Sequence, residues 1–258
     1  MTPRIGTLDI ETFPILAYTW GLWDQNVGLN QIARDWSLMS FSYKWLDNKE
    51  VAYFDVSEQE DIYDDSFLMF LLWQFLDEAD IVIAQNGVRF DFKKINARFI
   101  QLGMPPPSPY KVVDTLAEAK KVAAFTSNKL EWLSAILTEV PKDKHKDFPG
   151  FELWLGCMAR DPKAWASMRK YNPRDILATE QVYLKLRPWI AGHPNLAVYN
   201  EAAEMQCPKC GGTDLQRRGL SRTQSGEYQR YQCNSCSGWS RGRCTQNSIQ
   251  KRRSLLSN

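Results

Sequence analysis

The residues of this chain best suited to chemistry are four carboxylates in three short segments. Asp9 and Glu11 lie in Leu8-Asp9-Ile10-Glu11-Thr12, Asp91 in Asn86-Gly87-Val88-Arg89-Phe90-Asp91, and Asp175 in Tyr171-Asn172-Pro173-Arg174-Asp175. Clustered carboxylate oxygens suit hard divalent cations, and two such cations held roughly 4 Å apart can cleave a phosphodiester without a protein nucleophile. A second set carries softer donors. Cys207-x2-Cys210 and Cys233-x2-Cys236 form paired knuckles that, in an intracellular chain, favour tetrahedral Zn²⁺ over disulfides. Cys157 and Cys244 lack partners at ligand spacing and read as ordinary thiols. No Gly-x4-Gly-Lys-Ser/Thr loop occurs, which disfavours a nucleoside triphosphatase.

These groups need elements to hold them. Residues 4–10 are apolar enough for a central strand, on which alternation points Asp9 and Glu11 the same way and Ile10 into the core. Two like charges side by side are usually compensated by a cation. Ile15 to Trp23 reads as another apolar strand, which would put Tyr18, Trp20 and Trp23 in sheet core rather than on a base-stacking surface. Further strands are expected near 38–46, 50–55, 81–84 and 111–114. Helices are expected near 66–77, 89–102, 128–137, 151–158, 162–170 and 173–190, with a polar loop over 142–150. Asp91 and Asp175 then each fall in the first turn of a helix, where Pro173 also fits. Taken singly, every one of these acids has a structural explanation, and Tyr171 alone would read as a core aromatic.

The 258 residues, 44% hydrophobic and 24% charged, suit one sizeable core and a small accessory module. No run of about 18 apolar residues and no signal-peptide pattern occurs, so the expectation is an intracellular, cytoplasmic chain with no membrane partner. Charge is divided unevenly. Residues 207–258 hold ten basic and two acidic residues, a net of +8, against −6 for the first 206. A basic end on an acidic body suggests a polyanion partner. The expected organisation is a domain over 1–192, a linker over 193–206, a cysteine module over 207–240 and a flexible basic tail over 241–258. So small a module needs metal to fold. Gln229 to Gln232 reads as the return strand of its hairpin, and Arg217, Arg218 and Arg230 are its candidates for gripping phosphates. A structural appendage or a protein-docking site is the alternative.

Asp-x-Glu on a first strand, Asn-x4-Asp after a later strand and Tyr-x3-Asp ending at Asp175 together resemble the DEDD exonuclease superfamily of the ribonuclease H-like fold. The resemblance covers roughly residues 4–190 and is to its tyrosine branch, which includes proofreading domains of family A and B DNA polymerases. A histidine branch would carry His where Lys170 stands, and the only histidines are His145 and His193. The cysteine segment looks like the zinc ribbons of transposases and other DNA-handling proteins. The resemblance implies an α/β fold, a mixed β-sheet flanked by helices, with a small C-terminal zinc-ribbon domain. It implies two Mg²⁺ (or Mn²⁺) ions and one structural Zn²⁺. Asp9 would bridge both catalytic ions, Glu11 and Asp175 would help hold the one that activates water, and Asp91 would act on the other. Tyr171 would orient the water, its ordinary pKa near ~10 making it a poor base. Thr12 and Phe13 would meet the terminal nucleotide, Phe13 as a stacking wedge, and Asn86 would touch the penultimate one, whereas Asp114 reads as structural. The expected function is a 3′→5′ exonuclease on single-stranded or frayed 3′ ends. A polymerase or other replication or repair partner, and a phage-like setting in a host cytoplasm, are compatible with it. The alternatives are an inactive or accessory nucleic-acid-binding protein of the same fold, or a ribonuclease or structure-specific endonuclease.

Overall fold

A computed structural model describes residues 2–140, 147–201 and 204–256. Most of the polar loop expected from 142, with His145, and residues 202–203 of the expected linker lie outside the described residues. The chain divides into two compact units, one from Arg4 to Tyr183 and one from Leu184 onward.

The first unit is built on a five-stranded mixed sheet in the order β5-β4-β1-β6-β7. Its strands are β1 (Ile5–Thr12), β4 (Leu38–Trp45), β5 (Ala52–Asp55), β6 (Ile81–Ala84) and β7 (Lys111–Asp114). Central β1 runs antiparallel to β4 and parallel to β6. Ile5 to Leu8 are buried whichever way they point, as in a strand covered on both faces, and the first charged side chain enters at Asp9. The helices are α1 (Ser66–Glu78), α2 (Asp91–Gln101), α3 (Thr115–Val122), α4 (Leu130–Leu137), α5 (Glu152–Met158) and α6 (Pro162–Leu186). The core gathers Leu8 and Ile10 of β1, Leu68, Leu72 and Phe75 of α1, and Trp165, Met168 and Tyr171 of α6.

Two expectations are corrected. The apolar run from Ile15 to Trp23 is not a core strand. Only β2 (Leu16–Ala17) pairs, with β3 (Ile32–Arg34), in a separate two-stranded ribbon. Tyr18, Trp20 and Trp23 are 75%, 98% and 83% exposed, because the ribbon leaves the main sheet and no described element covers them. The second correction concerns Pro173, which does not open a helix but lies inside the 25-residue α6. Proline offers no N–H to the carbonyl of Arg169 one turn earlier, which alone would favour a break. The helix continues because its apolar face (Trp165, Met168, Tyr171, Ile176, Val182) stays buried on both sides of the proline. A largely buried ion pair, Lys44 Nζ to Glu180 Oε2 at 2.6 Å, also fastens its second half to β4. Asp175 is therefore in mid-helix, where the helix dipole gives its charge no help.

The second unit carries an antiparallel sheet in the order β10-β9-β8, of β8 (Leu215–Arg222), β9 (Glu227–Cys233) and β10 (Trp239–Thr245), followed by α7 (Ile249–Ser254). The expected return strand is the middle strand β9. β10 carries the sheet through Thr245, so the basic segment expected to hang loose from 241 begins inside a strand.

Candidate functional site

The three carboxylate segments converge on the C-terminal half of β1. Asp9 and Glu11 are half-buried while Ile10 between them is 3% exposed, the alternation a strand imposes. The main-chain N–H of Ile10 donates to Asp91 Oδ1 at 3.3 Å, which seats the first residue of α2 against β1. From α6, Asn172 Nδ2 donates to Asp9 Oδ2, and Ser42 Oγ donates to Asn172 Oδ1 at 2.7 Å. Ser42 is the β4 residue paired with Asp9, so the three side chains form a chain across two strands and a helix. Tyr171 and Asp175, one turn apart on α6, are 5% and 2% exposed, and the Tyr171 ring meets Trp154 edge-on at 6.2 Å.

The turn before α2 depends on Asn86 and Gly87. Asn86 adopts φ 64°, a left-handed conformation that asparagine tolerates. A Cβ on Gly87 would lie 2.5 Å from the Ala84 Cβ and 2.9 Å from the Phe92 ring, so only glycine fits. Asp114 pins this turn: its carboxylate accepts from the N–H groups of Asn86 (3.0 Å) and Val88 (3.2 Å). It also caps α3 through Leu116 and Ala117. That is the structural part expected of it.

Asp91, 4% exposed, accepts from main-chain N–H donors. Burial pushes its carboxyl up to about 7, against the pull of main-chain N–H donors and with a smaller push from the charge of Asp114. A divalent cation would supply the positive charge that such a buried oxygen lacks, and carboxylate oxygens are the donors Mg²⁺ or Mn²⁺ take. The four carboxylates are not drawn into one tight set, however. Among the described residues, the four thiols form the one group of three or more metal-type donors close enough to share an ion.

Other sequence-predicted residues are placed less favourably. Thr12, half-buried, sits where the β1–β4 register shifts. Phe13 is fully buried, 4.8 Å from the Tyr63 ring and 6.4 Å from that of Trp165, so it is core and not a wedge open to a base. The apolar residues that follow it, Ile15 and Leu16, are exposed, so composition alone does not separate core from surface here. Sequence patterning singles out neither Asn172 nor Ser42. Asn172 lies within the Tyr-x3-Asp segment, three residues before Asp175 on α6, whereas nothing local marks Ser42. Lys94 follows Asp91 by one turn on α2. It lies 3.8 Å over the Trp36 ring and sets a cation near the start of that helix.

In the second unit, Cys207 Sγ lies 3.7 Å from Cys236 Sγ and Cys210 Sγ 3.6 Å from Cys233 Sγ, with all four sulfurs within 4.8 Å of one another. A disulfide requires about 2 Å. A tetrahedron with Zn–S arms near 2.3 Å has edges of about 3.8 Å, so the spacing is compatible with one structural Zn²⁺. Each knuckle closes by its own main-chain bonds. Gly211 N–H donates to Cys207 O at 2.9 Å, with Gly211 at φ 75°, and Ser237 N–H donates to Cys233 O at 2.8 Å. Of the predicted arginines, Arg218 and Arg230 share a sheet face, whereas Arg217 opposes Tyr231 on the face turned to the cysteines.

No curated protein matches the chain. Among solved structures, the family B DNA polymerase from the hyperthermophilic archaeon Pyrobaculum calidifontis aligns over 72% of this chain at 14% identity, with a TM-score of 0.47. The chain spans 25% of that polymerase's length. No described helix is long and apolar enough to cross a membrane. A match to the RNase_H superfamily runs from residue 27 to residue 187, beginning after β1 and taking in β4 to α6, more than half of the sequence. Together with the mixed five-stranded sheet, this match shows that the chain belongs to the RNase_H superfamily.

Proposed function

We propose that this chain is a metal-dependent 3′→5′ exonuclease of the tyrosine branch of the DEDD group, acting on single-stranded DNA ends. The observation that carries the proposal is the convergence at β1. One peptide group, Ile10 N–H, bonds the buried Asp91 from a position between Asp9 and Glu11, while Asn172 of α6 bonds Asp9 beside Tyr171 and Asp175. Asp9, Glu11, Asp91 and Asp175 would hold two Mg²⁺ or Mn²⁺ ions, which supply a hydroxide at neutral pH and stabilise the leaving 3′-oxygen. Asn172 fixes the rotamer of Asp9 through a bond anchored on Ser42. Burial of Tyr171 against Trp154 leaves its hydroxyl few orientations, as suits a group that positions a water. Thr12 would meet the terminal nucleotide and Asn86 the penultimate one. The proposal divides the chain into a nuclease domain over 1–192 and a zinc-bound module from 207, joined by 193–206.

The test is degradation of a 3′-labelled oligonucleotide with Mg²⁺ or Mn²⁺, with a circular single strand and matched RNA alongside. Stepwise loss from the 3′ end, an intact circle, and no turnover in Asp9→Ala are expected. Tyr171→Phe should slow cleavage about a hundredfold while metal binding persists. Cutting of the circle would make the protein an endonuclease. Turnover unchanged in Asp9→Ala would overturn the site, and no turnover at all would leave a binding protein of the same fold.

A further inference from the structure

We infer that the face of the C-terminal sheet turned away from the cysteines is a second nucleic-acid site, a platform that takes single strands regardless of their ends. The register assigns its residues. Trp239 opposes Gln232 and Arg241 opposes Arg230, so these four share a face, and Tyr228, two residues from Arg230 on β9, joins them. Arg218 reaches the same face from β8, its Nη1 donating to Gln232 Oε1 at 2.8 Å. The opposite face turns Tyr231 and Cys233 inward, where both are buried.

The arginines lie over rings. The guanidinium carbons of Arg230 and Arg218 lie 4.8 Å and 5.9 Å from the Trp239 ring centre, and that of Arg241 lies 4.2 Å from the Tyr228 ring centre. Arg230 Nε donates to the carbonyl of Arg218 at 2.8 Å. These partners are neutral: among the described residues, none of the three guanidiniums has an ion pair. The two acids of this sheet region are occupied elsewhere, Glu227 with Arg222 at 2.8 Å and Asp214 with Asn234 at 2.8 Å. Three guanidiniums on one face without an acidic partner among the described residues would repel one another. A row of anionic groups relieves that repulsion, and each guanidinium keeps most of its five N–H donors for it.

The rings choose between polyanions. An acidic peptide could satisfy the charges but has no flat face to place on Trp239, which is 44% exposed. A duplex offers phosphates but keeps its base faces stacked inside. A single strand offers both, with phosphates for the guanidinium edges and bases for the indole and guanidinium planes. Aromatic stacking does not discriminate among bases, so the platform is sequence-tolerant. It does not depend on the carboxylate site cutting anything.

The experiment uses the full chain carrying Asp9→Ala, so that no strand is degraded, and reads fluorescence anisotropy of labelled oligo(dT) across a salt series. Each phosphate neutralised on a single strand contributes about 0.7 to the slope of log K against log salt. Arg230→Ser with Arg241→Ser should therefore reduce the slope by about 1.4. Arg230→Lys with Arg241→Lys should keep the slope yet bind more weakly, because a lysine does not stack as a plane. Trp239→Ala should weaken binding roughly five- to 150-fold. Circular and linear strands should compete equally. An unchanged slope in the double serine variant, tighter binding of duplex, or displacement by polyglutamate as effective as by oligonucleotide would each overturn the platform. Failure of the native chain to cut DNA, with binding still sensitive to these substitutions, would refute the nuclease proposal alone. Cutting with insensitive binding would refute the platform alone.

Discussion

Asp91→Asn is the substitution through which the metal proposal is most exposed to refutation. The Asp91 carboxyl is 4% exposed and shifted by burial from an ordinary 3.8 to about 7. Between those values the folded chain keeps a proton that the unfolded chain has released. The folded state then binds more protons than the unfolded, so stability falls as pH rises. The contribution is complete below about 3.8 and is lost as pH passes through about 7. At about 1.4 kcal/mol per pH unit over roughly three units, Asp91 makes the metal-free protein about 4 kcal/mol less stable at pH 8 than it would be with that carboxyl protonated. An ion that binds the ionised carboxylate reverses the penalty, stabilising by RT ln(1 + [M]/Kd). The assay is urea unfolding from pH 5 to 8, with and without Mg²⁺ and without chelator, so that the cysteine site is undisturbed. Asp91→Asn should flatten the pH dependence, raise metal-free stability at pH 8 and abolish the Mg²⁺ increment. An unchanged pH slope, or an equal Mg²⁺ increment in the variant, would refute the reasoning.

Three further outcomes are expected. Asn172→Ala removes the donor that orients Asp9 and should lower turnover 10- to 100-fold in steady-state digestion, with Ser42→Ala showing a smaller loss in the same direction. Glu180→Ala strands Lys44, whose side chain is 7% exposed, and should destabilise the chain by about 3–5 kcal/mol in urea titration, while Lys44→Met with Glu180→Leu recovers most of it. Elemental analysis should find one zinc per chain, and Cys233→Ser should lose it and expose the β8–β10 sheet to limited proteolysis, since so small a sheet has little else to hold it.

Some of this was legible in local patterns. The period of two on β1 put Asp9 and Glu11 on one side because alternation belongs to the strand itself. The helix beginning at Asp91 and the glycine turn before it follow from residues within a few positions of one another. The C-x2-C pairs implied two sulfur knuckles, since that spacing brings two thiols to one turn. Other features were not local. The run from Ile15 to Trp23 carries the composition of a core strand, but burial requires an opposing surface, and the ribbon that holds it leaves the sheet. Pro173 is a break signal that the burial of α6 on both sides overrides.

The amino-acid sequence by itself determined which donors the protein possesses: hard oxygens in three segments, soft sulfurs in two, and a surplus of arginine near the C-terminus. Only the tertiary structure decided which of them act together. Asn172 reaches Asp9 across 163 residues, and Ile10 reaches Asp91 across 81, through bonds no local pattern encodes. Strand register sent Arg218 and Arg230 to one face and Arg217 to the other, though all three look alike in sequence. The physical reason is common to these cases. Residue type sets what a group can bind, but burial, register and helix docking set where it points, and those depend on surfaces contributed by distant parts of the chain.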